Sequence, residues 1–242
     1  MLYLADRKTK LHKGVAPTTD IEIPNYNIEH TPTEASKGET LLYISDKHIS
    51  KPRKDLEIYV PKKIESTFVE ILVPKGKNII VGCLYKHHNI AQKDFNQALL
   101  PILTKIQNEN KVCYLSGDFN MNLLDLDKEK EVETYFDNMT DHKFMPLITC
   151  PTRINKSSKT LIDNIFYNQF SSEIVSGNLT VGISDHLPQF ALIPNAPQKA
   201  NIMKNETKQI RNYKQIDSAK LNADLDRINW TYEANDDVNQ YG

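Results

Sequence analysis

Four groups of polar residues in this chain follow apolar runs or interrupt them, where a charged side chain has least structural reason to sit. Gly117-Asp118-Phe119-Asn120 comes directly after an apolar run at 111–116, so a carboxylate and a carboxamide stand two residues apart. At a strand end such a pair points the same way. Ser184-Asp185-His186 sets a carboxylate beside an imidazole, a combination that can bind a metal and handle a proton. Asp163 interrupts the apolar segment 160–166, and a carboxylate buried there needs a cation or an imidazolium as partner. Tyr85 closes the run 78–85 and is followed by Lys86-His87-His88-Asn89. For the first two groups a plain turn is the competing reading, because Asp, Asn and Ser initiate turns unaided.

Together Tyr85, Asn89, Asp118, Asn120, Asp163, Asp185 and His186 suit phosphodiester cleavage. Carboxylates hold a hard divalent cation, preferably Mg2+ with Mn2+ as the alternative, through oxygen ligands. The cation offsets the charge that builds on the phosphate. An Asp–His pair orients and charges an imidazole, and amide and phenol groups donate to phosphate oxygens. The adjacent histidines His87 and His88 do not read as a zinc site, since neighbours in a strand-end loop rarely share one metal.

These groups need strands to carry them. The segments 40–45, 67–73, 78–85, 111–116, 161–167, 174–181 and 189–193 read as strands, and 78–85 is apolar enough to be a central strand buried on both faces. Apolar residues recur at helical spacing over 91–107, with Pro101 as a kink, and 132–139 also reads as helix. Residues 14–38 hold three prolines among polar residues and read as an extended loop. The order of elements predicts an α/β fold in one domain, 1–194, with sheets packed on each other and helices outside. Beyond it, 195–212 lacks a hydrophobic period and 215–230 has the spacing of one amphipathic helix, so 195–242 reads as a linker.

Composition sets the outer bounds. The 242 residues carry 30 Lys+Arg against 31 Asp+Glu, a net charge of −1, which excludes a partner held by bulk charge alone. Only five of the thirty cations are arginine. Three cysteines, Cys83, Cys113 and Cys150, make no close pair, so a disulfide framework and a thiolate zinc site are not expected. The run at the start lacks the apolar core of a signal peptide, and no stretch is long enough to span a bilayer. An intracellular protein with no membrane partner is the expectation.

The order of the polar groups resembles the endonuclease/exonuclease/phosphatase family, and within it the endonuclease region of non-LTR retrotransposons. The resemblance rests on Gly117-Asp118-Phe119-Asn120, Pro151-Thr152-Arg153, Thr160-Leu161-Ile162-Asp163 and Ser184-Asp185-His186, in that order, and on Pro24-Asn25-Tyr26 and the segment 38–44 upstream. It covers about 14–193, and the tail resembles the linker toward a reverse transcriptase carried in cis. The implied fold is a four-layer α/β sandwich of two packed mixed sheets flanked by helices. The implied roles follow residue by residue. Asp118 orients or deprotonates the attacking water, and Asn120 positions that water and the phosphate. Asp185, with Asp118, holds the metal. His186, oriented by Asp163, contacts the scissile phosphate of DNA, and Tyr85, Lys86 and Asn89 stand where the family contacts phosphate oxygens.

The sequence also departs from that pattern. The family's first strand with its Asn, and the metal-binding Glu that follows, would fall at or before the very start, so the domain is expected to lack its first strand. Aligning Thr9-Lys10-Leu11 with the family's Thr-x-Leu puts Lys8 at the ligand position, where a cation repels Mg2+. Asp6 is then the nearest carboxylate. Lys86-His87-His88 replaces an Arg and two prolines, and Glu39 replaces a glycine. The resemblance therefore implies a Mg2+-dependent DNA endonuclease, nuclear if it acts on chromosomal DNA. Its alternatives are an inactive remnant that keeps the folded core, and a small-molecule phosphatase of the same fold.

Overall fold

Strand and helix periods in the sequence resolve into fourteen strands and two α-helices among the described residues, which in this computed structural model are the backbone of 2–6, then 22–31, 40–169, 173–181 and 184–193, with 220, 223, 226 and 227. In chain order they are β1 Leu2–Asp6, β2 Tyr26–Thr31, β3 Thr40–Ser45, β4 Ile49–Pro52, β5 Tyr59–Val60, β6 Ile64–Leu72, β7 Ile79–Lys86, α1 Gln92–Glu109, β8 Val112–Asp118, α2 Lys130–Asp141, β9 Met145–Pro146, β10 Arg153–Ile154, β11 Lys159–Thr160, β12 Asp163–Tyr167, β13 Val175–Asn178 and β14 Gln189–Leu192. They belong to a compact unit, Met1–Ala200; Asn201–Gly242 forms a second, in which Lys220, Ala223 and Asp226 are helical. The remainder of the helix expected at 215–230 lies outside the described residues. No helix among the described residues is long and apolar enough to cross a membrane.

The main sheet runs β4-β6-β7-β8-β12-β9, with β5 also paired to β6. It is mixed: β6–β7 and β8–β12 are antiparallel, while β7–β8 is parallel because α1 carries the chain back across the sheet. The central place expected for the apolar run at 78–85 is the place β7 takes. Helices α1 and α2 cover one face through Phe95, Leu99, Leu103, Ile106, Val132, Tyr135 and Met139, packed on Phe68, Ile80, Leu84, Leu115 and Phe166. The helix α1 continues through Pro101 and ends at Asn110 in the left-handed conformation (φ 49°).

The other face of the main sheet packs on a three-stranded antiparallel sheet, β1-β3-β2. Leu42 and Ile44 of β3 meet Val69, Val81, Cys83, Tyr114 and Tyr167, with the last two rings stacked at 4.7 Å. Three hydroxyls seal this interface: Thr67 Oγ1 lies 2.9 Å from Thr31 Oγ1 and 2.8 Å from Thr40 Oγ1. Leu41 and Tyr43, on the opposite face of β3, are buried as well, as the second sheet of a four-layer sandwich requires. Residues 7–21 and 32–39 lie outside the described residues.

Seven strands, β1, β2, β4, β5, β9, β10 and β11, were not expected from the sequence, and two of them show why. The segment expected as a loop over 14–38 contains β2, which is polar and takes its strand conformation from pairing with β3 along its whole length. Similarly, β4 is a short edge strand with Pro52 at its end, where a missing N–H removes no ladder bond.

At the end of β6 remote from Ile64, Arg53 ties the elements together. Its guanidinium donates to Asp55 at 2.8 Å, to Glu70 at 2.9 Å and to Glu109, and Lys111 Nζ adds Glu70 at 2.9 Å. Burial alone would raise the Glu70 carboxyl, but hydrogen bonds from Lys111 and Asn78, the Lys111 charge and Arg53 outweigh it and bring the pKa down to about 2. An unfolded glutamate titrates near about 4.3. The pair's contribution is therefore complete above about 4.3 and is lost as pH falls toward about 2. Urea unfolding at stepped pH should show stability falling through that window, and Glu70→Gln should flatten the fall; an equally steep fall in the variant would contradict this origin.

Candidate active site

The ends of β6, β7, β8 and β12 place four polar residues in one row on the face toward the small sheet. Register pairs Glu65 with Tyr85, Tyr85 with Asp118, and Asp118 with Asp163. Asp118 is 0% exposed and Asp163 is 5% exposed, so two carboxylates stand directly opposite each other out of water. Like charges across an antiparallel pair repel. A compensating group faces Asp163: His186 Nδ1 lies 3.0 Å from both of its oxygens. Since a carboxylate only accepts, Nδ1 carries the proton. Asp118, Asp163 and His186 each offer a ligand atom, all within 4.8 Å of one another.

The loops that deliver these groups are bound to one another. The main chain of Phe119 donates to Ile162 O at 2.9 Å and Leu123 to Leu161 O at 3.0 Å, which extends the β8–β12 pairing past the strand ends. Asn122 Oδ1 accepts from Leu161 N at 2.8 Å. Gly117, just before Asp118, has φ of 145°, and a Cβ there would fall 1.8 Å from Leu84 O. Only glycine lets β8 lie this close to β7 immediately ahead of the carboxylate.

Asn120 turns back on itself. Its backbone N–H donates to Asp118 Oδ1 at 3.1 Å, its φ is 45°, and its Nδ2 donates to Lys86 O. The turn expected of this tetrapeptide is present, and it fixes the direction of the Asp118 carboxylate. Lys86 takes another direction from Tyr85. It is 3% exposed, with its ammonium 5.8 Å from the Phe95 ring centroid on the helix side of the sheet. Burial pulls its pKa down and the Asp118 charge pushes it back up. Direct phosphate contact by Lys86, expected from the resemblance, gives way to a buried charge acting on Asp118 from beneath. Asn89 is exposed on the loop after β7.

Asp185 does not join the buried group. Its Oδ2 accepts from Arg153 Nε at 2.7 Å, and that bond holds its carboxyl below the usual range. The Ile154 N–H donates to Asp185 O at 3.0 Å, and Arg153 forms a β-bridge with His186. Asp6 closes β1 at the register of Thr40, whose hydroxyl meets Thr67 two residues along β6 from Glu65. Lys8 lies outside the described residues.

Thr152 is the residue whose role the sequence hid. Fully buried, it donates from Oγ1 to Asp163 Oδ2 at 2.7 Å and accepts from the N–H groups of Ile162 and Asp163 at 3.3 and 3.1 Å. Its carbonyl accepts from Leu187 N at 2.7 Å, so it also anchors the residue after His186. Its only sequence signal is its place in Pro151-Thr152-Arg153. Glu65 was equally unmarked; its Oε1 lies 3.0 Å from Nε2 of His87.

The arrangement offers a pair of carboxylates, an imidazole held by one of them and able to carry charge, and a phenol one strand away. Comparison with solved structures shows which fold carries it. The endonuclease domain of TRAS1, a telomere-specific non-LTR retrotransposon, matches with a TM-score of 0.53 at 12% identity, over 69% of this chain and 77% of that one. The 3′ phosphatase NExo from Neisseria, bound to a product DNA hairpin, matches at 0.52 and 13%, over 77% and 86%. An endonuclease/exonuclease/phosphatase family protein from Leptotrichia buccalis C-1013-b matches at 0.50 and 13%, over 77% and 83%. No family model and no curated protein matches the chain. The fold is that of the endonuclease/exonuclease/phosphatase proteins, nucleases and phosphatases.

Replacing Thr152 by Val removes a donor from Asp163 and leaves two buried N–H groups without their acceptor. Equilibrium unfolding should register a loss of about 2 kcal/mol or more. Thr152→Ser, which gives up only a methyl group, should lose about 1 kcal/mol. Equal losses in the two variants would assign the effect to packing.

Proposed function

We propose that this chain is a Mg2+-dependent phosphodiester hydrolase that nicks DNA, an endonuclease of the non-LTR retrotransposon kind whose reverse transcriptase is carried in cis. The observation that carries this reading is the buried facing pair Asp118–Asp163 with His186 bound to Asp163. Two carboxylates out of water at one point favour positive charge beside them, and the His186 imidazole and the buried Lys86 ammonium are the protein's own share of it. A hard divalent cation fits the oxygen donors of this group, and Mn2+ fits the same donors. When bound, it would neutralise charge developing on the phosphate. Asp118 would hold it, with Asp185, whose Oδ2 accepts from Arg153, as the second carboxylate.

The remaining steps belong to the chain's own groups. Asp118 accepts the proton of the attacking water. Its loop partner Asn120 holds the carboxylate in place through the backbone bond to Oδ1 and helps seat that water and the phosphate. His186, fixed through Nδ1 by Asp163, presents its other ring nitrogen as a donor to the scissile phosphate, where a protonated ring stabilises the developing negative charge. Tyr85, beside Asp118 in the row, donates from its phenol to a second phosphate oxygen, and Asn89 serves the backbone further out. A DNA substrate places the work in the nucleus where the target is chromosomal. The second reading, an inactive copy that keeps the folded core, draws on the Arg153–Asp185 bond, which occupies the metal-side carboxylate.

Supercoiled plasmid incubated with the chain and MgCl2 should be converted to open circle. Chelation by EDTA, Asp118→Ala and His186→Ala should each lower the rate at least about a hundredfold. Equal nicking by all three would remove this site from the reaction. No nicking by the unaltered chain, beside retained cooperative unfolding, would establish the inactive copy, and release of phosphate from a 3′-phosphorylated oligonucleotide without nicking would establish a phosphatase.

A further inference from the structure

One buried carboxylate of the polar row has no part in the chemistry above. Glu65 is 0% exposed at the start of β6, a place where an apolar side chain would need no partner. A carboxylate removed from water needs hydrogen bonds to remain there. Glu65 receives one from His87, with Oε1 3.0 Å from Nε2. As the carboxylate is an acceptor only, this bond sets the imidazole's proton on Nε2 and fixes the ring plane. The His87 backbone N–H donates to Lys63 O at 2.9 Å, which folds the loop after β7 back onto the chain entering β6. So held, the His87 ring lies against Tyr85 with centroids 4.5 Å apart and planes tilted by 54°. Tyr85 stands between Glu65 and Asp118 in the register of the sheet.

We propose that Glu65 and His87 are a positioning pair, which holds the Tyr85 ring so that its phenol faces the same phosphate as Asp118 and His186; this rests on the functional reading above. The row then has a carboxylate–imidazole pair at each end. At one end Asp163 orients His186, which acts on the substrate. At the other, Glu65 orients His87, which acts on Tyr85. A tyrosine side chain can swing about its Cα–Cβ bond, which carries the phenol oxygen with it, and a phosphate contact is effective only where the donor is placed before the substrate arrives. The tilted imidazole, in contact with the ring, restricts that swing.

The test uses the full chain with 13C-labelled tyrosine, the Tyr85 signal being identified by its loss in Tyr85→Phe. Glu65→Leu and His87→Leu should both move that signal and lower kcat for plasmid nicking roughly tenfold, with KM little changed. Glu65→Gln, which keeps an oxygen acceptor for His87, should bring back the signal and most of the rate. In a Tyr85→Phe background neither leucine substitution should lower kcat further, because no phenol is left to position. A Tyr85 signal unmoved in His87→Leu, or losses that simply add to that of Tyr85→Phe, would overturn the pair. If the unaltered chain does not nick DNA, the functional reading fails, and the spectrum alone decides whether Glu65 and His87 hold the ring.

Discussion

The facing carboxylates Asp118 and Asp163 are the constraint around which the rest of this end of the molecule is arranged. Two like charges about 5 Å apart repel by roughly 3 kcal/mol at an effective dielectric constant of about 20, and neither is exposed enough for water to relieve it. Strand pairing forces them together, because β8 and β12 are in register at that point and both residues face the small sheet. The groups around them lower that repulsion or prevent escape from it. His186 binds one carboxylate, Thr152 donates to the same one, and the Asn120 N–H donates to the other. Lys86 adds a buried positive charge from the helix side. A protein that needed only stability would put apolar residues at both positions, so the free-energy cost points to chemistry there.

Supporting those two residues takes contacts from far along the chain, and this decides what the sequence alone could reveal. Strands β3, β7 and β8 and helix α1 were legible because each is written in a continuous stretch: apolar runs for the strands, helical spacing for α1. Asp163 was legible as needing a cation or an imidazolium, since a charge inside an apolar strand must be neutralised by a group brought to it, and His186 is the group that meets it. Strand β2 was not legible, because its polar residues become a strand only through β3 and the Thr31–Thr67 contact. Thr152 carried no signal of its own: a threonine between a proline and an arginine reads as loop, and only folding brings its hydroxyl to Asp163. Glu65 failed for the opposite reason. At the entry to a strand an acidic residue reads as surface, and its complete burial is a property of the sheet's register.

The scarcity of arginine acquires a structural meaning once the bonds are known. Arg53 commits its planar fork to Asp55, Glu70 and Glu109, which join the segment after β4, β6 itself and the end of α1. Arg153 commits its Nε to Asp185 beside the site. Both use the directed donors of guanidinium to fix the protein's own geometry, a task for which lysine is a poor substitute. On the proposed reading, recognition of a phosphate at the row falls to groups that donate without carrying permanent charge, the phenol of Tyr85, the amide of Asn89 and the imidazole of His186.

That division of labour would reconcile a net charge of −1 with the phosphate-binding site proposed above. Bulk positive charge attracts a polyanion over a Debye length and raises its local concentration, but it does not distinguish a ground state from a transition state. Donors seated in a buried row do, because their strength depends on where charge develops and on how little they must move to meet it. On the proposed reading the facing carboxylates also repel a phosphate, and a bound cation would offset that repulsion. On the proposed reading near-neutrality is no handicap, because selectivity is concentrated at the row where two buried aspartates face each other.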